Sequence, residues 1–202
     1  MNKIFLIILF IGLSTNIFSQ DTTSCFNDDY TGFVDDNIEF SGHGAIFTII
    51  SQIKDENIAY LGGGGAIMIS KKYLVGAVGT GLLSNPTISE GNYKGNTLEL
   101  SYMGLWFGYA FLHEKRIHPI ISSQFAVGGL SLTSSKMPIR DFYDNITVIN
   151  PIIEVEITLT KFLRVGIGGQ YTYFMGVDEL DTYSEKSFNN PGGYISLKVG
   201  WE

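Results

Sequence analysis

Two carboxylates stand two residues apart in the segment IIEVEITL, at Glu154 and Glu156. On a β-strand, residues i and i+2 point to the same face, so this spacing brings the two acids together. Retaining glycosidases hold such a pair about 5–5.5 Å apart for acid–base and nucleophilic work. Arg164 follows after a short polar stretch and would reach the same face if the chain turned back on itself. The pattern therefore has two interpretations, an acid–base pair or a network of ion pairs.

The ion network is the interpretation that we favour over catalysis. Charged side chains inside a protein need partners of opposite charge, and the interior of an eight-stranded barrel is just filled by its side chains. Gly166 and Gly168 would leave room for the two glutamates. The residues predicted to form this network in the lumen of a barrel are Glu99, Glu154, Glu156, Arg164 and Lys198.

Other patterns that could carry chemistry lack the context that they need. The glycine run Gly62–Gly65 is not followed by Gly-Lys-Ser/Thr or by a helix start, as a phosphate-binding loop requires, and is interpreted as strand glycine that relieves crowding or allows a bend. His118 and Ser122 share a strand face but stand too far apart for a direct nucleophile–base bond. The histidines have no metal-ligand spacing, and the single Cys25 excludes a cysteine-based zinc site. The sequence predicts no catalytic, metal-binding or cofactor-binding residues and no cofactor.

The elements that would position these residues are indicated by alternation of apolar and polar residues, which is clearest over Val148–Phe174. A period of two is the pattern of strands with one apolar and one polar face. The two arms have so short a connection, Thr160–Phe162, that they predict an antiparallel hairpin. The expected register pairs Leu159 with Leu163, Glu156 with Gly166 and Glu154 with Gly168.

The same alternation predicts eight strands from Ser41 onward. They are His43–Ile53, Ile58–Ile69, Tyr73–Leu83, Thr97–Leu112, Ile117–Leu132, the two arms of the hairpin, and Gly193–Trp201. Most are at least as long as the roughly 9–11 residues that cross a bilayer as a tilted strand. Long connections, 84–96, 133–147 and 176–190, alternate with short ones, and only the first connection is unexpectedly short.

That asymmetry is typical of outer-membrane barrels, which have short periplasmic turns and longer outside loops. The predicted fold is all-β, an eight-stranded antiparallel up-and-down transmembrane β-barrel over residues 41–202. Its apolar faces would meet lipid and its polar faces would line the lumen.

The N-terminus and the composition predict an exported protein. Residues 1–20 have the features of a cleaved signal peptide, with Lys3 before the apolar run Phe5–Leu13, which is too short to span a membrane as a helix. Residues 21–40 form a polar, acidic segment. The chain has 202 residues, which suits one domain, and a net charge of −7. The negative charge argues against nucleic acid as a partner, because phosphate binding needs clustered basic residues.

Aromatic residues near the strand ends predict belts at the two membrane–water interfaces. Tyr171 and Tyr173 lie at the long-loop end of the seventh strand, and Trp201 lies at the opposite end of the eighth. The fourth strand, SYMGLWFGYAF, is aromatic on both faces, so alternation leaves its orientation open.

Four stretches resemble the secreted outer-membrane β-barrel proteins of Bacteroidota: Gly62–Leu83, Tyr102–Gly129, Val148–Asp178 and Gly192–Glu202. The resemblance implies residence in the outer membrane, with outer-membrane lipid and the barrel-assembly machinery as partners. It carries over no activity and no catalytic residues. That machinery reads a C-terminal aromatic residue in such barrels, whereas here Trp201 is followed by Glu202.

Together these observations predict a small, non-enzymatic outer-membrane barrel with a closed or nearly closed lumen. An extracellular ligand would bind at loops 84–96, 133–147 and 176–190. Two alternatives stay open. One is a soluble, secreted, lipocalin-like barrel with an apolar ligand, which requires apolar residues inside and polar residues outside. The other is a lipid-modifying enzyme of the outer membrane, which requires a His/Ser or acidic constellation near the loop end.

Overall fold

The computed structural model describes residues 38–53, 56–84, 86–88, 94–134, 140–177 and 185–201. The predicted signal peptide, residues 1–20, lies outside the described residues. So does the predicted polar segment, residues 21–40, apart from its last three residues.

Eight strands form one closed antiparallel barrel, in which each strand pairs with its neighbours along the chain and the last pairs with the first. The strands are β1 (Phe40–Ile53), β2 (Glu56–Ile69), β3 (Tyr73–Leu82), β4 (Asn96–Ala110), β5 (Ile117–Ser134), β6 (Arg140–Thr158), β7 (Leu163–Met175) and β8 (Asn190–Trp201). A four-residue helix, α1 (Glu185–Phe188), precedes β8. Within the described part of the chain, no helix is long and apolar enough to cross a membrane. The prediction of an eight-stranded, antiparallel, up-and-down β-barrel is confirmed.

One end of the barrel is closed by short turns, and the long connections lie at the other. Turns 70–72, 111–116 and 159–162 join β2 to β3, β4 to β5 and β6 to β7. Gly42 of β1 pairs with Trp201 of β8, so the first strand begins and the last strand ends beside these turns. We call the end with these three turns the short-turn end, and the opposite end the loop end.

The hairpin of β6 and β7 has the register that its short turn predicts. Glu154 lies opposite Gly168, and Glu156 lies opposite Gly166. The backbone N–H of Leu159 donates to the carbonyl of Leu163 at 3.0 Å and closes the turn. The glutamates therefore point into the barrel, and the alternating apolar residues of β6 point outward.

The prediction of a loop over residues 133–147 is wrong. β5 continues to Ser134, β6 begins at Arg140, and pairs such as Gly129 with Asn145 extend the ladder through this region. The ladder is made of backbone hydrogen bonds, so polar side chains do not end a strand that has a partner beside it. Composition marks where the apolar pattern ends, which here is not where the strands end.

Other strand boundaries move by a few residues. β1 begins at Phe40 and β8 at Asn190, each three residues before its predicted start. The predicted loop 176–190 contains α1, and in the predicted loop 84–96 Thr87 forms a bridge with Thr97 of β4. At these ends the backbone pairing continues past the residues in which apolar and polar side chains alternate.

The outer wall of the barrel carries exposed aliphatic side chains on every strand. Examples are Ile46, Ile67, Val75, Leu105, Val127, Ile153, Ile167 and Leu197. On β4, whose orientation the sequence leaves open, Tyr102 and Trp106 point inward while Met103, Leu105 and Phe107 point outward. Apolar residues thus cover the outside, and the inside holds both a hydrophobic core and buried charges.

Candidate functional site

The strongest concentration of polar chemistry lies inside the barrel, where Lys198 of β8 binds two carboxylates of β6. Its Nζ donates to Oε1 of Glu154 and, at 2.7 Å, to Oε2 of Glu156. Arg164 of β7 donates through Nη1 to Oε1 of Glu156 at 3.4 Å. Glu154 and Glu156 are each 1% exposed and Lys198 is 0% exposed. We call these four residues the ion network.

Each carboxylate oxygen of the ion network has a partner. The hydroxyl of Ser196 donates to Oε2 of Glu154 at 3.0 Å. Nε2 of His118 lies 3.5 Å from Oε1 of Glu156, the oxygen that Arg164 also contacts. The two acidic and two basic side chains match in number, which is what a site shielded from water requires. Neither carboxylate presents an unoccupied oxygen for acid–base work on a substrate.

His118 connects the ion network to the short-turn end. Its Nδ1 lies 3.1 Å from the carbonyl oxygen of Lys115 in the turn between β4 and β5. A carbonyl only accepts hydrogen bonds, so this contact places a proton on Nδ1. The imidazole therefore joins the turn to the interior, where its Nε2 lies beside Glu156.

Gly166 supplies the space that the ion network occupies. A Cβ atom built on Gly166 would overlap Oε2 of Glu154 and Oγ of Ser196. The prediction that glycine opposite the glutamates leaves room for them is confirmed here. Any larger residue at this position would displace the carboxylate from its partners.

Glu99 does not belong to the ion network, so the prediction is wrong for this residue. Its side chain is exposed on the outer wall of β4 near the loop end. It lies opposite Ser131 of β5, whose hydroxyl donates to Oε2 of Glu99 at 3.4 Å. The physical reason is that a polar residue near the end of a strand, outside the apolar band, can face outward at no desolvation cost.

The interior also contains residues that the sequence did not indicate. The Trp106 ring lies 5.6 Å from Nζ of Lys198, a cation–π distance. Phe47 packs between Trp106 and Tyr194, with ring centroids 6.4 Å and 5.4 Å away. Alternation predicts Ser196 on the same face as Lys198, but its bond to Glu154 reaches across β7 and depends on the curvature of the sheet. Trp106 could not have been placed, because β4 is aromatic on both faces.

Toward the loop end, the lumen is filled by a second layer of side chains. Asn150 donates to the hydroxyl of Tyr102 and to Oε1 of Gln124, both at 3.2 Å. Phe174 packs between Tyr102 and Phe188 of α1, with centroids 6.2 Å and 5.9 Å away. Aromatic and amide side chains therefore fill the lumen between the ion network and the loop end.

The three aromatic residues predicted to mark interfaces lie at opposite ends of the barrel. Tyr171 and Tyr173 pack with centroids 4.5 Å apart near the loop end, where the hydroxyl of Tyr171 donates to the carbonyl of Asn189 at 3.1 Å. Trp201 is 63% exposed at the short-turn end. All three side chains lie on the outward-facing positions of their strands.

Comparison with known proteins identifies the architecture. No protein-family model and no curated protein matches this sequence. Neisserial surface protein A is similar in structure, with a TM-score of 0.55 and 12% identity over 81% of this chain and 97% of that one. The N-terminal β-barrel domain of Pseudomonas aeruginosa OprF also has a TM-score of 0.55, with 9% identity over 80% of this chain and 97% of that domain. At these identities the likeness shows the fold, a small closed antiparallel barrel.

Proposed function

We propose that this chain is a small outer-membrane β-barrel protein without enzymatic activity, whose lumen is closed and whose loop end binds an extracellular partner. The observation that carries the proposal is the inverted distribution of side chains. The buried charges lie inside the barrel, around Lys198, while the outer wall is apolar.

The outer wall supports a lipid environment. Met103 is 68% exposed and Ile153 is 63% exposed, and their outward neighbours on the same strands, Leu105 and Val155, are also exposed and apolar. Contiguous apolar surface on this scale is rare on soluble monomers. In hydrocarbon, a closed barrel satisfies the requirement that every backbone polar group be paired. A lipocalin-like barrel would have the opposite arrangement, with its apolar side chains around an internal ligand.

The location is supported by the predicted signal peptide together with the fold. The neighbours include a Neisserial surface protein, and outer-membrane barrels combine short periplasmic turns with longer outside loops. We infer that the short-turn end faces the periplasm and the loop end faces outward.

The loop end supports a binding role. β5 and β6 have 18 and 19 residues, whereas about 9–11 residues cross a bilayer. Their outer parts would therefore stand above the membrane, between the connections 84–96 and 176–190. Polar outward side chains, Glu99 and Asn145 among them, offer a surface for a ligand there.

The lipid-modifying alternative has less support. It needs a reactive group that can reach a substrate, and the carboxylates of the ion network are buried with every oxygen engaged. His118 is engaged with the Lys115 carbonyl and lies beside Glu156. This arrangement suits a structural role.

Cell fractionation combined with gel mobility tests the proposal. We expect the protein in the outer-membrane fraction, resistant to carbonate extraction, and migrating differently in unheated and heated SDS samples, as a folded barrel does. Recovery from the periplasm without detergent, with one mobility in both samples, would show that the proposal is wrong.

A further inference from the structure

Basic side chains are concentrated at the short-turn end, outside the ion network. We call them the basic rim: Lys71, Lys72, Lys115, Arg116 and Lys161. They lie in the three turns that join β2 to β3, β4 to β5 and β6 to β7, so they are distributed around the barrel. The structure describes these turns in full, and Glu114 is the one acid within them.

The members of the basic rim are placed toward solvent. Lys72, Lys115, Arg116 and Lys161 are exposed, and Lys71 is partly exposed and pairs with Glu39 at 3.1 Å. Nε of Arg116 donates to the carbonyl oxygen of Thr158 at 2.9 Å, which holds the guanidinium between two turns. A planar guanidinium presents paired N–H groups that match the oxygens of a phosphate.

Exposed aromatic and aliphatic side chains lie next to the basic rim. This collar consists of Phe40, Tyr73, Phe111, Leu112, Phe162 and Trp201. Lys72 directly precedes Tyr73, and Lys161 directly precedes Phe162. Aromatic rings settle at the level of lipid head groups, and a lysine beside them extends its apolar stem along the wall with its charge outermost.

We propose that the basic rim binds the phosphate head groups of anionic phospholipids in the leaflet at the short-turn end. The inference rests on the proposed function, since it requires the outer wall to be embedded in a bilayer. Charge complementarity carries it: five basic residues and two acids, Glu39 and Glu114, lie around the end of an apolar wall and next to the collar, so the rim has an excess of positive charge. The long connections at the other end contain more acidic than basic residues, so the preference belongs to one leaflet.

An anionic polymer, such as peptidoglycan, is the competing occupant of the basic rim. Such a polymer would be attracted to the same charges, but it would gain nothing from the collar. A phospholipid uses both features, because its chains contact the apolar wall while its phosphate contacts the cations. The continuity of the rim with the collar therefore favours lipid.

The test measures lipid preference of the full mature chain refolded into phosphatidylcholine vesicles. Spin-labelled phosphatidylglycerol and spin-labelled phosphatidylcholine are compared for the immobilised fraction at the protein surface, at low salt. We expect about fivefold preference for phosphatidylglycerol, the gain that corresponds to one cation beside an anionic surface. The triple variant Lys72→Gln, Lys115→Gln, Lys161→Gln should reduce the preference to about two- to threefold, since two of the five basic residues remain.

Two controls separate the inference from the proposed function. Lys94→Gln with Lys186→Gln removes two exposed cations near the loop end and should leave the preference unchanged. Heat-modifiable mobility reports insertion for every variant.

Inserted barrels with equal affinity for both lipids would overturn the inference and leave the membrane barrel intact. Retention on peptidoglycan that the triple variant abolishes, with no lipid preference, would assign the rim to a polymer instead. Failure of the wild type to insert would overturn both.

Discussion

Among single residues, Lys198 connects the most groups in the interior of the barrel. One ammonium group contacts both glutamates, and the indole of Trp106 lies on its other side. A buried ion pair is not in itself strongly stabilising, because desolvation offsets much of the attraction. Removal of one partner is costly, because a charge is then left buried without compensation.

The substitution Lys198→Met should therefore destabilise the barrel by about 3–5 kcal/mol. It leaves two buried carboxylates with Arg164 as their permanent cation. The free energy of unfolding is measured by urea titration of protein refolded in lipid vesicles. Lys186→Met, the same exchange on the exposed surface of α1, is the matched control and should change it by less than about 0.5 kcal/mol. Equal unfolding midpoints for the two variants would contradict the role given to Lys198.

Gly166→Ala tests the space around the same cluster. The added methyl group would overlap the carboxylate of Glu154 and the hydroxyl of Ser196, so we expect a loss of about 1–3 kcal/mol from overpacking. Gly193→Ala is the control, because a Cβ atom there would meet nothing within 4 Å. The same titration measures both variants. A tolerated alanine at Gly166 would show that the carboxylate does not need this cavity.

At the scale of elements, the strand pair β5–β6 extends the barrel beyond its apolar band. The ladder continues through Leu130 opposite Asp144, and outward positions change from aliphatic to polar along it. The arrangement gives the loop end a projecting two-stranded sheet in place of a flexible loop. A projecting sheet holds its side chains in fixed positions, which suits recognition of a partner.

Cysteine labelling tests where the apolar band ends. In a Cys25→Ser background, which leaves no other thiol, Glu99→Cys and Asn145→Cys should react on intact cells with a membrane-impermeant maleimide. Ile121→Cys should not react, although its side chain is also exposed on the outer wall, because lipid would cover it. Equal reaction at all three positions would mean that no part of this wall is shielded by a membrane.

The β6–β7 hairpin could be predicted from the sequence because its turn is short. Once Leu159 meets Leu163, the opposition of Glu156 and Gly166 follows by counting, and the apolar partners fix the faces. β4 could not be oriented in this way, since Tyr102 and Phe107 lie on opposite faces and alternation gives no contrast. The outward position of Glu99 could not be inferred either, because the sequence does not show where the apolar band stops.

Contacts across several strands could not be predicted from sequence. The bond from Ser196 to Glu154 depends on the curvature of the sheet across β7. The approach of Trp106 to Lys198 depends on closure of the barrel, which brings residues far apart in the chain to one level of the lumen. Local patterns report which face a residue occupies. They do not report which residues of other strands meet it there.

At the scale of the whole molecule, three layers follow one another along the barrel. The basic rim and its collar lie at the short-turn end. The ion network and the second layer of side chains, which includes Asn150 and Phe174, fill the lumen, and a polar surface extends at the loop end. This order gives the protein two chemically different ends and a closed interior. It fits a barrel that is held in one orientation in a membrane and acts through its ends.

A nitroxide spin label at Ile153 shows whether the aliphatic outer wall contacts lipid. The Ile153→Cys, Cys25→Ser protein is labelled, refolded in vesicles, and examined for collision with oxygen and with a water-soluble nickel chelate. We predict frequent collision with oxygen and little with the chelate, because oxygen concentrates in hydrocarbon and the chelate stays in water. Free collision of the chelate with the label would mean that this wall faces water, and would contradict the account.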